Sequence, residues 1–265
     1  MLIIGELING MYKKVASAIQ SKDAAFIRTL ARQQVDAGAD ALDVNCGPAS
    51  RDAVSDMRWL VEVIQEEVKV PLSLDSTKAL AIEAGLKVCR NKAIINSTMA
   101  DNEKLDQYFG MAKSYKVSLI ALLMDKKGVP QDRDGRLELA ASILEAAGRH
   151  DFPMDDLYLD PIVMPINVAQ NQLFGILEVL KDLKMIASPA PKTVIGLSNI
   201  SQGSKSRSLI NRTFLVMAEA YGLDAAILDP LDKNLMDLLI TSEMVLNKHI
   251  YCDSFVEAFL KSKKQ

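Results

Sequence analysis

Histidine and cysteine are scarce in this chain of 265 residues, and their scarcity limits its chemistry. The two histidines, His150 and His249, stand far apart in the sequence, and no HExxH motif is present. We therefore expect no zinc site and no resident metal, with a hard-cation site built from aspartates as a weaker alternative. The three cysteines, Cys46, Cys89 and Cys252, cannot all pair and form no CxxC motif. Because the amino-terminus also lacks a basic export segment, this pattern predicts a reduced, cytoplasmic location.

The chain also lacks a charge excess and a long apolar run. Lys and Arg number 31 against 34 Asp and Glu, which gives a formal net charge of -3 and a pI of about 5.5. A nucleic-acid-binding protein carries a basic surface that this balance does not supply. The longest largely apolar run, Val117–Met124, in which Ser118 is the one polar residue, is far shorter than the roughly 18 residues of a membrane span. We expect a globular protein that binds neither nucleic acid nor membranes.

Short apolar segments rich in Val, Ile and Leu alternate with longer segments of helical spacing. The eight predicted strands are Leu2–Asn9, Ala41–Asn45, Leu72–Asp75, Ala93–Ser97, Ser118–Met124, Leu157–Val163, Thr193–Asn199 and Ala225–Asp229. Eight such units in this length predict one α/β domain, residues 1–265, folded as a closed (β/α)8 TIM barrel with a short extra helix beyond about Ile250. A doubly wound open sheet is the alternative, but its GxGxxG fingerprint is missing after the first strand.

Nearly every predicted strand ends in a carboxylate or an amide. These residues are Glu6, Asn9, Asp43, Asn45, Asp75, Asn96, Asp125, Asp160, Asn199 and Asp229. In a barrel of this kind the chemistry lies at the carboxyl ends of the strands. Buried carboxylates and amides are costly unless they are hydrogen-bonded, so the set forms either a mutual polar network or a ligand site.

Helix capping is the competing explanation for some of these residues, because Asp, Asn and Ser are good N-caps. We assign capping to the pairs Ser76/Thr77 and Asp101/Asn102, and leave Asp125 and Asp229 open between capping and function. Ligand contact is favoured for three residues that lie at or within the ends of their strands: Asp75, Asn96 and Asp160. A cup lined by such groups and almost free of cations suits a neutral, flat, donor-rich heterocycle such as a pterin.

Six motifs occur in order at these strand ends. They are Glu6-Leu-Ile-Asn9, Leu42-Asp-Val-Asn45, Ser73-Leu-Asp-Ser76, Ile95-Asn-Ser-Thr98, Leu159-Asp-Pro161 and Gly196-Leu-Ser-Asn199. In this order the chain resembles the pterin-binding barrels, which include dihydropteroate synthase, the folate module of cobalamin-dependent methionine synthase and the folate-dependent corrinoid methyltransferases. It is most similar to the methyltetrahydrofolate:corrinoid/iron-sulfur protein methyltransferases of the carbon-fixing acetyl-CoA (Wood–Ljungdahl) pathway.

The resemblance implies a methyltransferase that passes the methyl group of methyltetrahydrofolate to cobalt(I) of a corrinoid/iron-sulfur protein. The chain has no DxHxxG motif, so the corrinoid is expected on that partner protein. The family also implies a homodimer. The sequence leaves open whether tetrahydrofolate or tetrahydromethanopterin is the methyl carrier.

The resemblance also assigns residues. It implies that Asp75, Asn96 and Asp160 hold the pterin ring, and that Asn199 lies beside the nitrogen that carries the methyl group. Asn199 and Asp160 are accordingly the candidates for the transfer step. Further substrate contacts are expected from the loop after the seventh strand: Ser198, Gln202 and Arg207. Arg207 would meet the carboxylates of the folate tail, although a solvated loop arginine is nearly as good an interpretation.

Two other functions compete with methyl transfer. A dihydropteroate synthase would carry a lysine motif after the seventh strand and an Arg-x-His motif after the eighth. Here those positions hold Asn199-Ile-Ser201 and Asp229-Pro-Leu231, so the cations that bind pyrophosphate are missing. A non-catalytic folate-binding protein is the second alternative, and it predicts folate binding without loss of the methyl group.

Overall fold

The strands of the protein close into a parallel barrel. A computed structural model describes residues 1–251 and residue 257, and within them each strand pairs with the next and the last with the first. The strands are β1 (Leu2–Asn9), β2 (Ala41–Asn45), β3 (Leu72–Asp75), β4 (Ala93–Met99), β5 (Ser118–Leu122), β6 (Leu157–Asp160), β7 (Lys192–Gly196) and β8 (Ala225–Leu228). The predicted (β/α)8 barrel is confirmed, and the open sheet is excluded.

The helices lie between successive strands and pack their apolar faces on the outside of the barrel. They are α1 (Lys13–Ser21), α2 (Ala24–Asp36), α3 (Ala53–Gln65), α4 (Ala79–Leu86), α5 (Asn102–Tyr115), α6 (Arg133–Arg149), α7 (Ile166–Ala169), α8 (Leu173–Leu183), α9 (Arg207–Ala220) and α10 (Lys233–Val245). None of the helices in the described residues is both long and apolar enough to cross a membrane.

Aspartate side chains begin several of these helices by accepting a hydrogen bond from a backbone N–H three residues later. These N-caps are Asp23, Asp52, Asp101, Asp132 and Asp232. The capping role predicted for Asp101 is confirmed. The one predicted for Ser76 is wrong, because α4 begins after Lys78 without a side-chain cap, and Ser76 instead accepts from the N–H of Lys78 in the preceding turn. Asp125 and Asp229 accept from backbone N–H groups two residues on, so locally both form turns.

The interior of the barrel is layered. Side chains alternate along a strand, so residues two apart face the same side. An apolar cluster fills the lower layer: Ile4, Ala41, Ile94, Ile120, Tyr158, Val194 and Ala225. Two positions further along their strands stand Glu6, Asp43, Asn96 and Asp160. Register alone therefore places a polar layer above an apolar floor, at the carboxyl ends of the strands.

Several strand ends differ from the prediction. β4 extends two residues further, to Met99, whereas β5 stops at Leu122 and β6 at Asp160. Pro161 explains the end of β6, because proline has no N–H to continue the ladder. After it Ile162 adopts a φ of 62°, which turns the chain out of the sheet.

The prediction for the seventh strand was also too long. β7 ends at Gly196, and residues Leu197–Asn199 form one turn of 3-10 helix above it. Asn199 therefore stands on a turn over the barrel mouth and not on a strand. The helix expected beyond about Ile250 falls mostly on residues outside the described part of the chain, as does Cys252.

Candidate active site

A hydrogen-bonded network occupies the β2–β4 side of the polar layer. Asp43 is 3% exposed, and its Oδ1 accepts from Ser73 Oγ at 2.7 Å and from Asn96 Nδ2 at 3.0 Å. Asp75 Oδ2 accepts from Asn45 Nδ2 at 2.6 Å. The register explains this proximity, since Asn45 pairs with Asp75 and Asp75 pairs with Asn96 across neighbouring strands.

Burial raises the pKa values of both carboxyl groups in this network. Desolvation, followed by the charge of Asp75, holds the pKa of Asp43 well above its usual range, against the bonds from Asn96 and Ser73. Desolvation also raises the pKa of Asp75, and the bond from Asn45 opposes that rise. Carboxyl groups that keep a proton can donate to a ligand as well as accept from it.

Asp160 stands on β6, across the barrel from this network. It is 9% exposed, and its Oδ1 accepts from the N–H of Ile162 at 2.7 Å. Burial raises its pKa to about 7, although the backbone bond works in the opposite direction. Near neutral pH both the acid and the carboxylate are therefore populated, which suits a group that gives or takes a proton.

Asn199 presents an amide with no hydrogen-bond partner among the described residues. The side chain is exposed and folds back over β7, with Nδ2 only 2.9 Å from the place that a Cβ on Gly196 would occupy. Any larger residue at position 196 would displace the amide. The donor and acceptor of Asn199 are thus both available to a ligand at the mouth.

The loop after β7 holds the remaining predicted contacts. Ser198 Oγ donates to Glu6 Oε1 at 2.7 Å. Gln202 is exposed, and its backbone N–H donates to the carbonyl of Asn199 at 3.1 Å. The Arg207 guanidinium is exposed and donates to the Ser201 hydroxyl at 3.1 Å and to the Ser198 carbonyl at 3.3 Å. Arg207 therefore stabilises its own loop. The sequence had suggested either a contact with the folate tail or a solvated loop arginine, and neither included these bonds.

Two cavities flank Asp75 at the mouth. One of about 370 Å³ is lined by Met11, Asn45, Cys46, Asp75, Ser76 and Lys78 among others. A second of about 270 Å³ lies on the other side of Asp75, against Thr98, Lys104 and Tyr108. Volumes of this size are in the range of small-molecule sites. Asp75 is therefore accessible from the mouth on two sides, despite its hydrogen bond to Asn45.

Glu6 and Asp43 are the site residues whose roles the sequence reasoning missed. Both had been noted at strand ends without an assignment. Asp43 is buried and Glu6 is half-buried, and both carboxyl groups have raised pKa values. The sequence did contain a signal for them. Residues two apart on a strand face the same side, so Glu6 and Asp43 point into the barrel like Ile4 and Ala41. Metal ligands were not expected, and in the described part of the chain no three His, Cys, Asp or Glu side chains cluster around one point.

Solved structures of dihydropteroate synthases share this closed parallel barrel. The dihydropteroate synthase of Coxiella burnetii in complex with pteroic acid gives a TM-score of 0.70 at 14% identity, covering 94% of each chain. The enzyme of Thermus thermophilus in complex with 6HMPPP gives 0.64 at 18% identity, covering 92% of this chain and 93% of the other. Likeness at such low identity concerns the fold alone.

The sequence carries the classification further. Residues 6–229 match the pterin binding enzyme family, and the chain belongs to it. The methylcorrinoid:tetrahydrofolate methyltransferase of Eubacterium limosum is 29% identical over 265 residues, which cover 99% of this chain and 97% of that one. The methionine synthase of Mycobacterium tuberculosis is 26% identical over 240 residues, covering 86% of this chain and 20% of that longer protein.

Proposed function

We propose that this protein is a methyltransferase that moves a methyl group between tetrahydrofolate and the cobalt of a corrinoid carried by a partner protein. The observation that carries the proposal is the free amide of Asn199 above a layer of buried carboxyl groups. The end-to-end match to a methylcorrinoid:tetrahydrofolate methyltransferase supports the same chemistry. The missing pyrophosphate cations favour methyl transfer over a dihydropteroate-synthase reaction.

The direction of transfer and the partner form the finer part of the proposal. We propose that methyltetrahydrofolate is the donor and cobalt(I) of a corrinoid/iron-sulfur protein the acceptor, as in the acetyl-CoA pathway, in the cytoplasm. The name of the Eubacterium limosum relative gives the opposite direction. A single site can serve both directions, because the same transition state is crossed each way.

Substrate binding is assigned to residues of the polar layer and of the loop after β7. Asp75, Asn96 and Asp160 would pair with the amino, ring N–H and ring oxygen groups of the pterin. Ser198, Asn199, Gln202 and Arg207 would contact the substrate from the loop. Asp160 can donate or accept, because burial raises its pKa to about 7, and burial shifts the pKa of Asp75 in the same direction.

Methyl transfer from a tertiary amine needs a proton at the departing nitrogen, which otherwise leaves with negative charge. Asn199 would strengthen its hydrogen bond to that nitrogen as the charge changes, which stabilises the transition state more than the ground state. Asparagine is not itself a proton source. Protonated Asp160 is the proposed reservoir, with water completing the path to the nitrogen.

One assay tests the proposal against its rivals. The protein is mixed with methyltetrahydrofolate and a corrinoid protein reduced to cobalt(I), and the cobalt(I) absorbance is followed. Loss of that absorbance with formation of methyl-cobalt supports methyl transfer. Tight folate binding with no change at cobalt favours the non-catalytic binding protein, and condensation of a pterin pyrophosphate with p-aminobenzoate favours the synthase.

A further inference from the structure

Glu6 lies next to the turn that carries Asn199 and is bonded to it. Its Oε1 accepts from Ser198 Oγ at 2.7 Å, and Ser198 directly precedes Asn199 in the chain. Glu6 belongs to β1 and points into the polar layer, whereas Ser198 belongs to the 3-10 turn above β7. The bond thus joins a rigid strand to the element that presents the free amide.

Most other hydrogen bonds of this turn stay within its own loop. The Ser198 carbonyl accepts from Ser201 Oγ and Arg207 Nη2, each at 3.3 Å, and the Asn199 carbonyl accepts from the N–H of Gln202 at 3.1 Å. A backbone bond from the N–H of Ile166 to the carbonyl of Ile200 reaches α7. In the described chain, Glu6 is the side chain that ties the turn to the barrel wall.

The groups around Glu6 bring the pKa of its carboxyl group close to neutral pH. Four groups face it: Asp229 beyond β8, Arg207 on α9, Tyr12 after β1 and Asp43 on β2. Burial is the main reason that its pKa rises to about 7, and Asp229 adds to the rise. The hydroxyl of Ser198 and the charge of Arg207 act against it.

We infer that Glu6 is a positioning residue for methyl transfer, and that its carboxylate, acting through Ser198, fixes the turn that presents Asn199. The inference rests on the proposed function. A hydrogen bond to an ionised acceptor is about twice as strong as one between neutral groups. The turn is therefore held most firmly when Glu6 is ionised, and loosens as Glu6 takes up a proton.

A double-mutant cycle isolates the bond. Ser198→Ala removes the donor and Glu6→Leu removes the acceptor at similar size. Each should lower the rate constant of methyl transfer about tenfold. Glu6→Leu changes no predicted substrate contact, so it should also keep the dissociation constant for methyltetrahydrofolate within about twofold of wild type. The double variant should be no slower than either single variant, because both remove one interaction. Additive losses, or losses confined to folate binding, would overturn the inference.

The pH profile gives a readout that a purely structural role would not move. In the wild type, transfer from methyltetrahydrofolate should fall on the acid side of about pH 7 as Glu6 is protonated. Glu6→Gln keeps a hydrogen-bond acceptor but cannot ionise, so the acid limb should vanish. An acid limb that persists unchanged in Glu6→Gln contradicts the assignment. Glu66→Gln, on an exposed residue paired with Arg28, is the matched control and should keep the wild-type profile.

Hydrogen exchange of the peptide covering residues 197–207 separates failure of this inference from failure of the proposed function. Exchange should be faster in Ser198→Ala and Glu6→Leu than in the wild type, and faster at pH 6 than at pH 8 once corrected for the intrinsic rate. A wild type with no transfer activity but with this exchange pattern would refute the methyltransferase proposal alone. Unchanged exchange beside normal transfer would refute the role of Glu6.

Discussion

The side-chain amide of Asn199 has no hydrogen-bond partner within the described protein, whereas the carboxyl groups of Asp43, Asp75 and Asp160 each accept at least one hydrogen bond. A side chain left free at a mouth stabilises nothing in the folded state. Its expected contribution is therefore to the ligand, and specifically to the atom whose charge changes during the reaction.

We predict that Asn199→Ala lowers the methyl-transfer rate by about 10- to 100-fold while folate affinity changes by less than about threefold. Single-turnover loss of cobalt(I) absorbance measures the first quantity and isothermal titration with methyltetrahydrofolate measures the second. Asn91→Ala, at the opposite end of the barrel, is the control. Weakened binding with a normal single-turnover rate would contradict the role.

The raised pKa of Asp160 leads to a prediction about how stability depends on pH. Its folded pKa lies above the ordinary aspartate value, so between about pH 4 and pH 7 the folded state binds the extra proton, and stability falls as pH rises through this window. Asp160→Asn keeps the acceptor for Ile162 and removes the titration. Urea unfolding should show the variant more stable than wild type at pH 8 by on the order of a few kcal/mol, with little difference at pH 4. The exposed control Asp155→Asn should match the wild type at both pH values.

At the scale of elements, the link from β6 to α7 depends on one buried cation. Arg136 on α6 is 1% exposed, and its guanidinium donates to the carbonyls of Pro161 and Asp132 and to Gln172 Oε1. Burial lowers the pKa of this guanidinium, and the charge of Asp132 partly restores it. Because Pro161 follows Asp160 directly, α6 holds the strand end on which the acid stands.

Arg136→Met should therefore destabilise the protein by about 1–3 kcal/mol, since it leaves the buried carbonyl of Pro161 and two part-buried acceptors without their donor. Thermal unfolding measures this, and the affinity for methyltetrahydrofolate should fall with it as Asp160 shifts. Arg133→Met, an exposed arginine on the same helix, should change stability by less than about 0.5 kcal/mol. Equal effects of the two substitutions would argue against the bracing role.

Element order was predictable because each strand is a continuous apolar run followed by a helical period. The strand ends were not, because they depend on tertiary detail. Pro161 marks the end of β6 in the sequence, but the 3-10 turn that ends at Asn199 forms only where the loop folds back over Gly196. Asp75, Asn96 and Asp160 were predicted as ligand contacts from their motifs. The structure places them at or near the carboxyl ends of their strands, and their contact with a ligand stays a prediction. Glu6 was passed over because its importance comes from Ser198, distant in sequence and adjacent only in the closed barrel.

At the scale of the whole molecule, an apolar groove lies exposed on the outside of the helical layer. A groove of about 480 Å³ between α7, α8 and α9 is lined by Ile166, Leu173, Phe174, Leu209, Phe214 and Met217 among others. Phe174 and Leu209 are 60% and 67% exposed. Contiguous exposed apolar surface is typical of subunit interfaces, which favours the homodimer that the family resemblance implies, and we propose that this groove is its interface.

Phe174→Asp should convert such a dimer to a monomer at micromolar concentration, because it places a charge within the buried face. Light scattering coupled to size exclusion measures the mass of each species. Leu80→Asp is the matched control, since Leu80 is 70% exposed on α4 and lies outside the groove. A wild type that is already monomeric would sink the dimer proposal.

The apolar floor beneath the polar layer has a consequence for the order of events. Apolar side chains, among them Ile4, Ile94 and Tyr158, fill the lower end of the barrel. A ligand therefore reaches the polar layer only from the mouth. In the proposed reaction the small pterin sits deep and the bulky protein carrying cobalt covers the opening. The pterin must therefore arrive first and depart last, so the kinetics should be sequential and ordered, and an excess of the cobalt protein should trap whatever lies beneath it.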